Sequence, residues 1–271
     1  MSKTTARAMI HPSTGRAWHV LWLALVVSGA GFAHAPLQVV ATTGMVGDVA
    51  QVVAGECAVV VTLMGPGTDP HLYRASASDV AALASAEVIL YSGLGLEGRL
   101  AAVLAELGKR VTTVAVAELA LSQGERLVHP SGVQDPHVWL SAAAWAGTAG
   151  VIAEVLAAEL VARASDAAAE CVEGLAERAA AYEQQVLALH DWAKATLATV
   201  PREQRVLVTA HDAFHYFGRA YDVEVVGIQG LSTDSEAAVA DVRRVADLVV
   251  ARRVGPCSSR APSTHAPCAP C

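Results

Sequence analysis

The chemistry in this chain begins with histidines that follow stiff corners. Asp69-Pro70-His71 and Asp135-Pro136-His137 repeat one tripeptide, and His211 closes the apolar run Val206-Leu207-Val208-Thr209-Ala210. In each Asp-Pro-His copy the proline fixes φ and drives the aspartate toward an extended backbone, so the histidine leaves a rigid corner. The run before His211 reads as a buried strand that ends at the imidazole. Three rigidly presented imidazoles suit a borderline-soft divalent ion such as Zn²⁺. Any one of these histidines, taken alone, has a plain structural role as its commoner explanation. The repeat and the strand-end placement favour convergence of His71, His137 and His211 on one metal ion.

The rest of the chain must supply the frame. Its 271 residues are 54% hydrophobic and 17% charged, enough for about two domains with sizeable cores. Aromatics are only 5%, and the formal charge of −7 lacks the basic footprint of a nucleic-acid binder. Lys3, Arg7 and Arg16 precede a short apolar stretch, Trp18 to Val27, and Ala33-His34-Ala35 has the form of an export cleavage site, with Pro36 just after it. The apolar stretch is short of the roughly 20 residues a membrane span needs. No cysteine follows it closely, which speaks against a lipid anchor. The expectation is residues 1–35 as signal peptide and a mature monomer free in the periplasm. Cys57 and Cys171 lie far apart and Cys257, Cys268 and Cys271 crowd the end, a distribution that predicts no disulfide framework.

From Leu37 strands and helices alternate. Strands are predicted at Val39–Thr43, Ala58–Leu63, Val88–Tyr91 and Val111–Val114, with helices at Met45–Ala54, Ser76–Ala84, Leu96–Leu107 and Ser141–Leu160. Ser76 with Asp79 three residues on has the form of a helix start. Strands separated by helices of this length imply right-handed βαβ units and a parallel sheet, whose ligands sit beyond the strands' carboxyl ends. Ala162 to Leu197 is nearly free of helix breakers, and Tyr182, Val186, Leu189 and Trp192/Ala193 recur at helical spacing. It reads as a strut, either one long helix or two broken near Gly174. Beyond Pro201 the alternation resumes, with strands at Arg205–Thr209 and Glu224–Ile228. Helices are predicted at His211–Tyr221 and at Ser235–Arg252, the latter opened by Thr233 or Ser235. The expected fold is α/β, two lobes with parallel sheets joined by one long backbone helix. The divisions are 36–160 for the first lobe, 161–199 for the helix, 200–254 for an incomplete second lobe and 255–271 for a disordered tail.

Met64-Gly65-Pro66-Gly67-Thr68-Asp69-Pro70-His71-Leu72-Tyr73, Asp135-Pro136-His137-Val138-Trp139-Leu140 and Val208-Thr209-Ala210-His211-Asp212-Ala213-Phe214 with Tyr216-Phe217 resemble, in order, three ligand loops of one family. That family is the zinc/manganese solute-binding proteins of ABC transporters, the TroA/ZnuA/PsaA group. Gly227 to Glu236 resembles the loop that follows, so the match spans about Val39 to Val254. The resemblance implies two α/β lobes joined by a long helix, a metal in the cleft, and a membrane permease of an ABC transporter as partner. It carries the ligand roles to His71, His137 and His211, with Zn(II) favoured by three imidazoles and Mn(II) or Fe(II) as alternatives. Zinc specialists often carry a His-rich loop before the second ligand; here that region holds only His129. Asp69, Asp135 and Asp212 either orient the neighbouring rings from outside the coordination sphere or serve as turn and cap residues; the sequence leaves both open.

The family's last ligand, usually an aspartate, would lie beyond this chain's last residue. From Gly255 the apolar period vanishes. A zinc site of Cys257, His265, Cys268 and Cys271 is one reading of the tail. A shifted reading frame is the better one, since codons allowed for Cys257 to His265, read one nucleotide earlier, can encode an apolar run ending in Glu-Ser-Ser. A shortened second lobe would hold metal weakly and leave a sheet edge uncovered. Against a transport role stands a zinc hydrolase or lyase with a three-histidine site. Glu97 and Glu236 are its acid/base candidates by residue type alone, and no HExxH-like helix accompanies them. A third reading is a non-functional product.

Overall fold

Strand β1 (Leu37–Thr43) is apolar on both faces because both are covered. In the computed structural model, which describes residues 35–163, 166–234 and 236–252, β1 lies inside a four-stranded parallel sheet. Its neighbours are β2 (Ala58–Met64) and β3 (Val88–Tyr91), and β4 (Thr112–Ala115) pairs with β3, giving the order β2-β1-β3-β4. The period of two sorts the side chains. Leu37, Val39, Ala41, Val88 and Leu90 enter one core, while Val40 and Ile89 enter the other.

The first core is closed by α1 (Gly44–Ala54), α4 (Val116–Ala120), α5 (Ala142–Ala146), α6 (Thr148–Ala162) and the start of α7 (Asp166–Ala198). The second is closed by Leu83 of α2 (Ala77–Ser85) and by Leu104 and Leu107 of α3 (Ala101–Leu107). The expected start of α2 is present as a full capping box, in which the Ser76 hydroxyl accepts from Asp79 N–H and the Asp79 carboxylate accepts from Ser76 N–H. Several helices differ from expectation. Residues before Ala101 form turns, with Leu94 at φ 55° and Leu96 N–H bonded to the Gly93 carbonyl, so α3 starts later. The segment from Ser141 breaks at Gly147 into α5 and α6. Together Ala142–Ala162 is long and apolar enough to cross a membrane, yet Ile152, Leu156 and Leu160 are packed in the first core. The helix expected from His211 begins only at His215, as described below.

Helix α7 runs 33 residues without interruption at Gly174. The glycine leaves room for a neighbour, since a Cβ there would sit 2.5 Å from an Arg178 guanidinium nitrogen. That guanidinium donates to the Val53 and Ala54 carbonyls at 2.7 and 3.0 Å, capping the end of α1. Beside it Cys57 is joined to Cys171 by a disulfide, with Cα atoms 5.8 Å apart. The absence of a disulfide framework inferred from spacing is therefore corrected: a separation of 114 residues hides a pairing that the α1–α7 contact creates. Closing so long a loop is worth roughly 4–5 kcal/mol in the chain-entropy account. The apolar stripe also shifts: Tyr182, Val186, His190, Ala193 and Leu197 turn inward, while Leu189 and Trp192 are exposed.

Arg205 fixes the far end of α7 by donating to the carbonyls of Ala198 and Val200. Then β5 (Val206–His211) pairs in parallel with β6 (Glu224–Gln229), with α8 (His215–Tyr221) between them and α9 (Val239–Arg252) after. The expected start of α9 near Ser235 is not seen; Ser235 itself lies outside the described residues. Ala238 accepts the first helical N–H bonds, and the side chains of Thr233 and Asp234 turn toward the first lobe instead of capping. The proposed export segment up to residue 34 and the tail from 255 also lie outside the described residues.

Candidate metal centre

Each of the three histidines is placed by a different device. His71 follows the loop after β2, where Asp69 Oδ1 accepts the His71 backbone N–H at 2.9 Å. His137 follows a short antiparallel excursion, Val128 pairing with Gln134 and Asp135 N–H bonding the Leu127 carbonyl. There Asp135 Oδ1 accepts from the His137 backbone at 3.0 Å and lies 2.8 Å from its ring Nδ1. His211 is the last residue of β5, held in register opposite Gln229. The ladder extending through it explains why the helix begins four residues later. Gly227 on β6 permits this geometry, because a Cβ there would lie 2.7 Å from the Asp212 Cα.

These devices bring His71, His137 and His211 together. Their ring centroids are 5.2, 5.9 and 5.3 Å apart in the pairs 71–137, 71–211 and 137–211. One nitrogen of each lies within 4.8 Å of the others, and among the described residues this is the one such group of three or more possible ligands. The Nε2 atoms of His71 and His137 are 3.2 Å apart. Two imidazoles on a tetrahedral zinc, at about 2.0–2.1 Å each, have their nitrogens roughly 3.3 Å apart. His71 and His137 are buried and His211 is half-buried.

Burial favours the neutral form of two of the three rings. Burial holds His71 below the ordinary imidazole range, helped by the neighbouring His137, against the pull of Asp69. Burial does the same to His211, again with His137 beside it. A neutral ring offers a lone pair, which a metal needs. With Nδ1 of His137 facing a carboxylate, its Nε2 is the atom free to bind.

The chain from residue 39 to 257 matches the family model "Zinc-uptake complex component A periplasmic", ZnuA. The chain belongs to this family. Its similarity to the manganese-binding lipoprotein MntA of Bacillus subtilis (strain 168) is 38% identity over 242 residues, 87% of this chain and 76% of that one. To the zinc-binding protein TroA of Treponema pallidum (strain Nichols) it is 38% over 216 residues, 80% and 67% of the two chains. The solved periplasmic zinc-binding TroA of Treponema pallidum superposes with a TM-score of 0.74, covering 80% of this chain and 76% of its own. Fe(III)-bound YtgA of Chlamydia trachomatis superposes at 0.70 with 25% identity, covering 80% and 78%.

The three aspartates differ in use. Asp135 faces its own histidine's ring. Asp69 holds only the backbone of His71; burial raises its pKa, but the bonds from Thr233 and from His71 N–H outweigh this and leave it lowered. Asp212 turns to two other histidines, His129 Nε2 at 3.4 Å and His215 Nε2 at 3.2 Å. The latter approach is an ion-pair distance without hydrogen-bond alignment, and Asp212 Oδ1 has no hydrogen-bond partner. His215, three residues after Asp212 in sequence, carried no signal in the chain read linearly; its role exists only once α8 docks. Glu97 is buried and accepts from Ser92 N–H, Gly93 N–H and the Thr42 hydroxyl. Its carboxylate organises the turns before α3, leaving no oxygen unengaged for acid/base work; burial still pushes its pKa up. Tyr216 is fully buried with its hydroxyl on Leu127 N–H, and Tyr73 bonds Asp79, so both pack and anchor.

Proposed function

We propose that this protein is a metal-capturing, solute-binding component of an ABC transporter, taking Zn(II) between its lobes through His71, His137 and His211 and delivering it to a membrane permease. The carrying observation is the meeting of three imidazoles from positions 71, 137 and 211 within 4.8 Å. The nitrogen-only donor set favours Zn(II), with Mn(II) or Fe(II) as alternative cargo; relatives are named for binding zinc, manganese and iron. Asp135 would fix the tautomer of His137 and raise its basicity as a ligand. The reading is binding rather than catalysis, because Glu97 is committed to backbone donors and Glu236 is exposed. We further read export with cleavage near Ala35, a monomeric protein outside the cytoplasm, and functional boundaries at 36–160, 161–199 and 200–254.

Isothermal titration with Zn(II) tests the site. One ion per chain is expected for the wild type. His71→Ala, His137→Ala and His211→Ala should each weaken binding by more than about 100-fold, since loss of an outer partner alone costs 10–100-fold. Wild-type affinity in all three variants would remove the assignment. Mass spectrometry of the exported chain checks the cleavage.

A further inference from the structure

The two Asp-Pro-His aspartates use their oxygens in the same way. Oδ1 of each accepts the backbone N–H of its own histidine, at 2.9 Å for Asp69 and 3.0 Å for Asp135. Oδ2 of each meets a side chain from the second lobe. The Thr233 hydroxyl donates to Asp69 Oδ2 at 2.6 Å, and His215 Nδ1 lies 3.2 Å from Asp135 Oδ2.

We propose that Thr233 and His215 are positioning residues, through which the second lobe clasps the two histidine loops of the first and thereby slows release of the bound cation. This rests on the three-histidine reading above.

Three features support the clasp. Asp135 is 1% exposed, so an oxygen that loses His215 has little water to replace it. His215 opens α8 four residues after His211, on one continuous strand–turn–helix. Docking of His215 on Asp135 therefore fixes His211 relative to His137. Around His215 stand Asp135 from the first lobe, Asp212 from its own, and the His129 ring at 5.8 Å. On the other side Thr233 is held by its neighbour Asp234, whose carboxylate pairs with Arg99 of the first lobe at 2.7 Å. The clasp thus has two points, one on each histidine loop.

The experiment is zinc release from the full chain, followed by stopped-flow transfer to a chromogenic chelator. His215→Ala and Thr233→Val should each speed release about tenfold, the loss of one hydrogen bond to a charged acceptor. His215→Asn puts an amide N–H where Nδ1 was, and Thr233→Ser keeps the hydroxyl; both should restore slow release. His215→Ala leaves a buried Asp135 oxygen unpartnered, so its metal-free unfolding midpoint should fall modestly, whereas Thr233→Val, beside the half-buried Asp69, should change it little. Unchanged release in His215→Ala and Thr233→Val overturns the clasp. So does faster release that Asn and Ser fail to rescue, or that in Thr233→Val tracks a fallen midpoint, since either marks general packing. A wild type that binds no zinc would instead remove the three-histidine reading, so the two failures are separable.

Discussion

The two sheets of this molecule are built from similar strands and end up very differently supported. In the first, β1 and β3 are buried on both faces, and the end of α1 with the turn at Cys57 is stapled to α7 by a disulfide and by Arg178. In the second, β5 has no buried position and β6 only Val226. Helix α9 buries Val245 and leaves Val239 and Val250 80% and 77% exposed. The candidate metal centre takes two histidines from loops on the heavily packed half and one from the lightly packed half. The heavily packed half thus presents two of the three imidazoles, and the lightly packed half presents the third. Local stability follows buried apolar packing, and elements that move in binding come from its lower end.

The contrast breaks or holds first in the cores. Replacing Cys57 and Cys171 together by serine should cost about 2–5 kcal/mol of unfolding free energy in denaturant. Leu156→Ala, in the first core, should cost about 2–5 kcal/mol, whereas Val208→Ala in β5 should cost about 1 kcal/mol. Equal losses at Leu156 and Val208 would mean that the second sheet is better supported than its exposure indicates.

Zinc should sharpen the contrast. At a free concentration 100 times the Kd, binding stabilises by about 2.7 kcal/mol. In the metal-free protein, amide exchange should give lower opening free energies in β5, β6 and α8 than in β1 and β3, and zinc should raise those of the second half because their opening releases the ion. Equal opening free energies in the two sheets of the metal-free protein would show that the halves unfold as one unit.

How far the sequence carried follows from the range of the forces involved. The Asp-Pro-His corners, the strand before His211 and the Ser76 capping box act over a few residues, and all were legible. Whether α7 continues through Gly174 was left open by the sequence, because a glycine within a helical run fits either a break or a close approach, and here the Arg178 guanidinium packs against it. The Cys57–Cys171 pair and the use of His215 and Thr233 join residues that only the fold brings together. Asp234 and Thr233 had every local qualification to open α9, yet partners on the first lobe take them, and tertiary contacts override local propensity. Of the three aspartates for which the sequence left a ring-orienting and a turn role open, only Asp135 meets its histidine's ring.

The smallest effect concerns protons and compares a histidine from each half. Burial holds both His71 and His211 below 6.5, with His137 adding to it in each case. The native protein therefore binds fewer protons at these sites than the unfolded chain in the interval from 6.5 down to the folded pKa values. Stability contributed by the neutral rings is present above 6.5 and is lost as pH falls through that interval. In metal-free protein, NMR titration should find both rings changing charge below 6.5. His211 is less buried than His71, so opening of the second half should release it first. In the His215→Ala variant, its titration should move up toward the ordinary imidazole value while that of His71 moves less. Equal movement of the two rings would place the give between the sheets rather than within the second half, and would count against the asymmetry drawn from their packing.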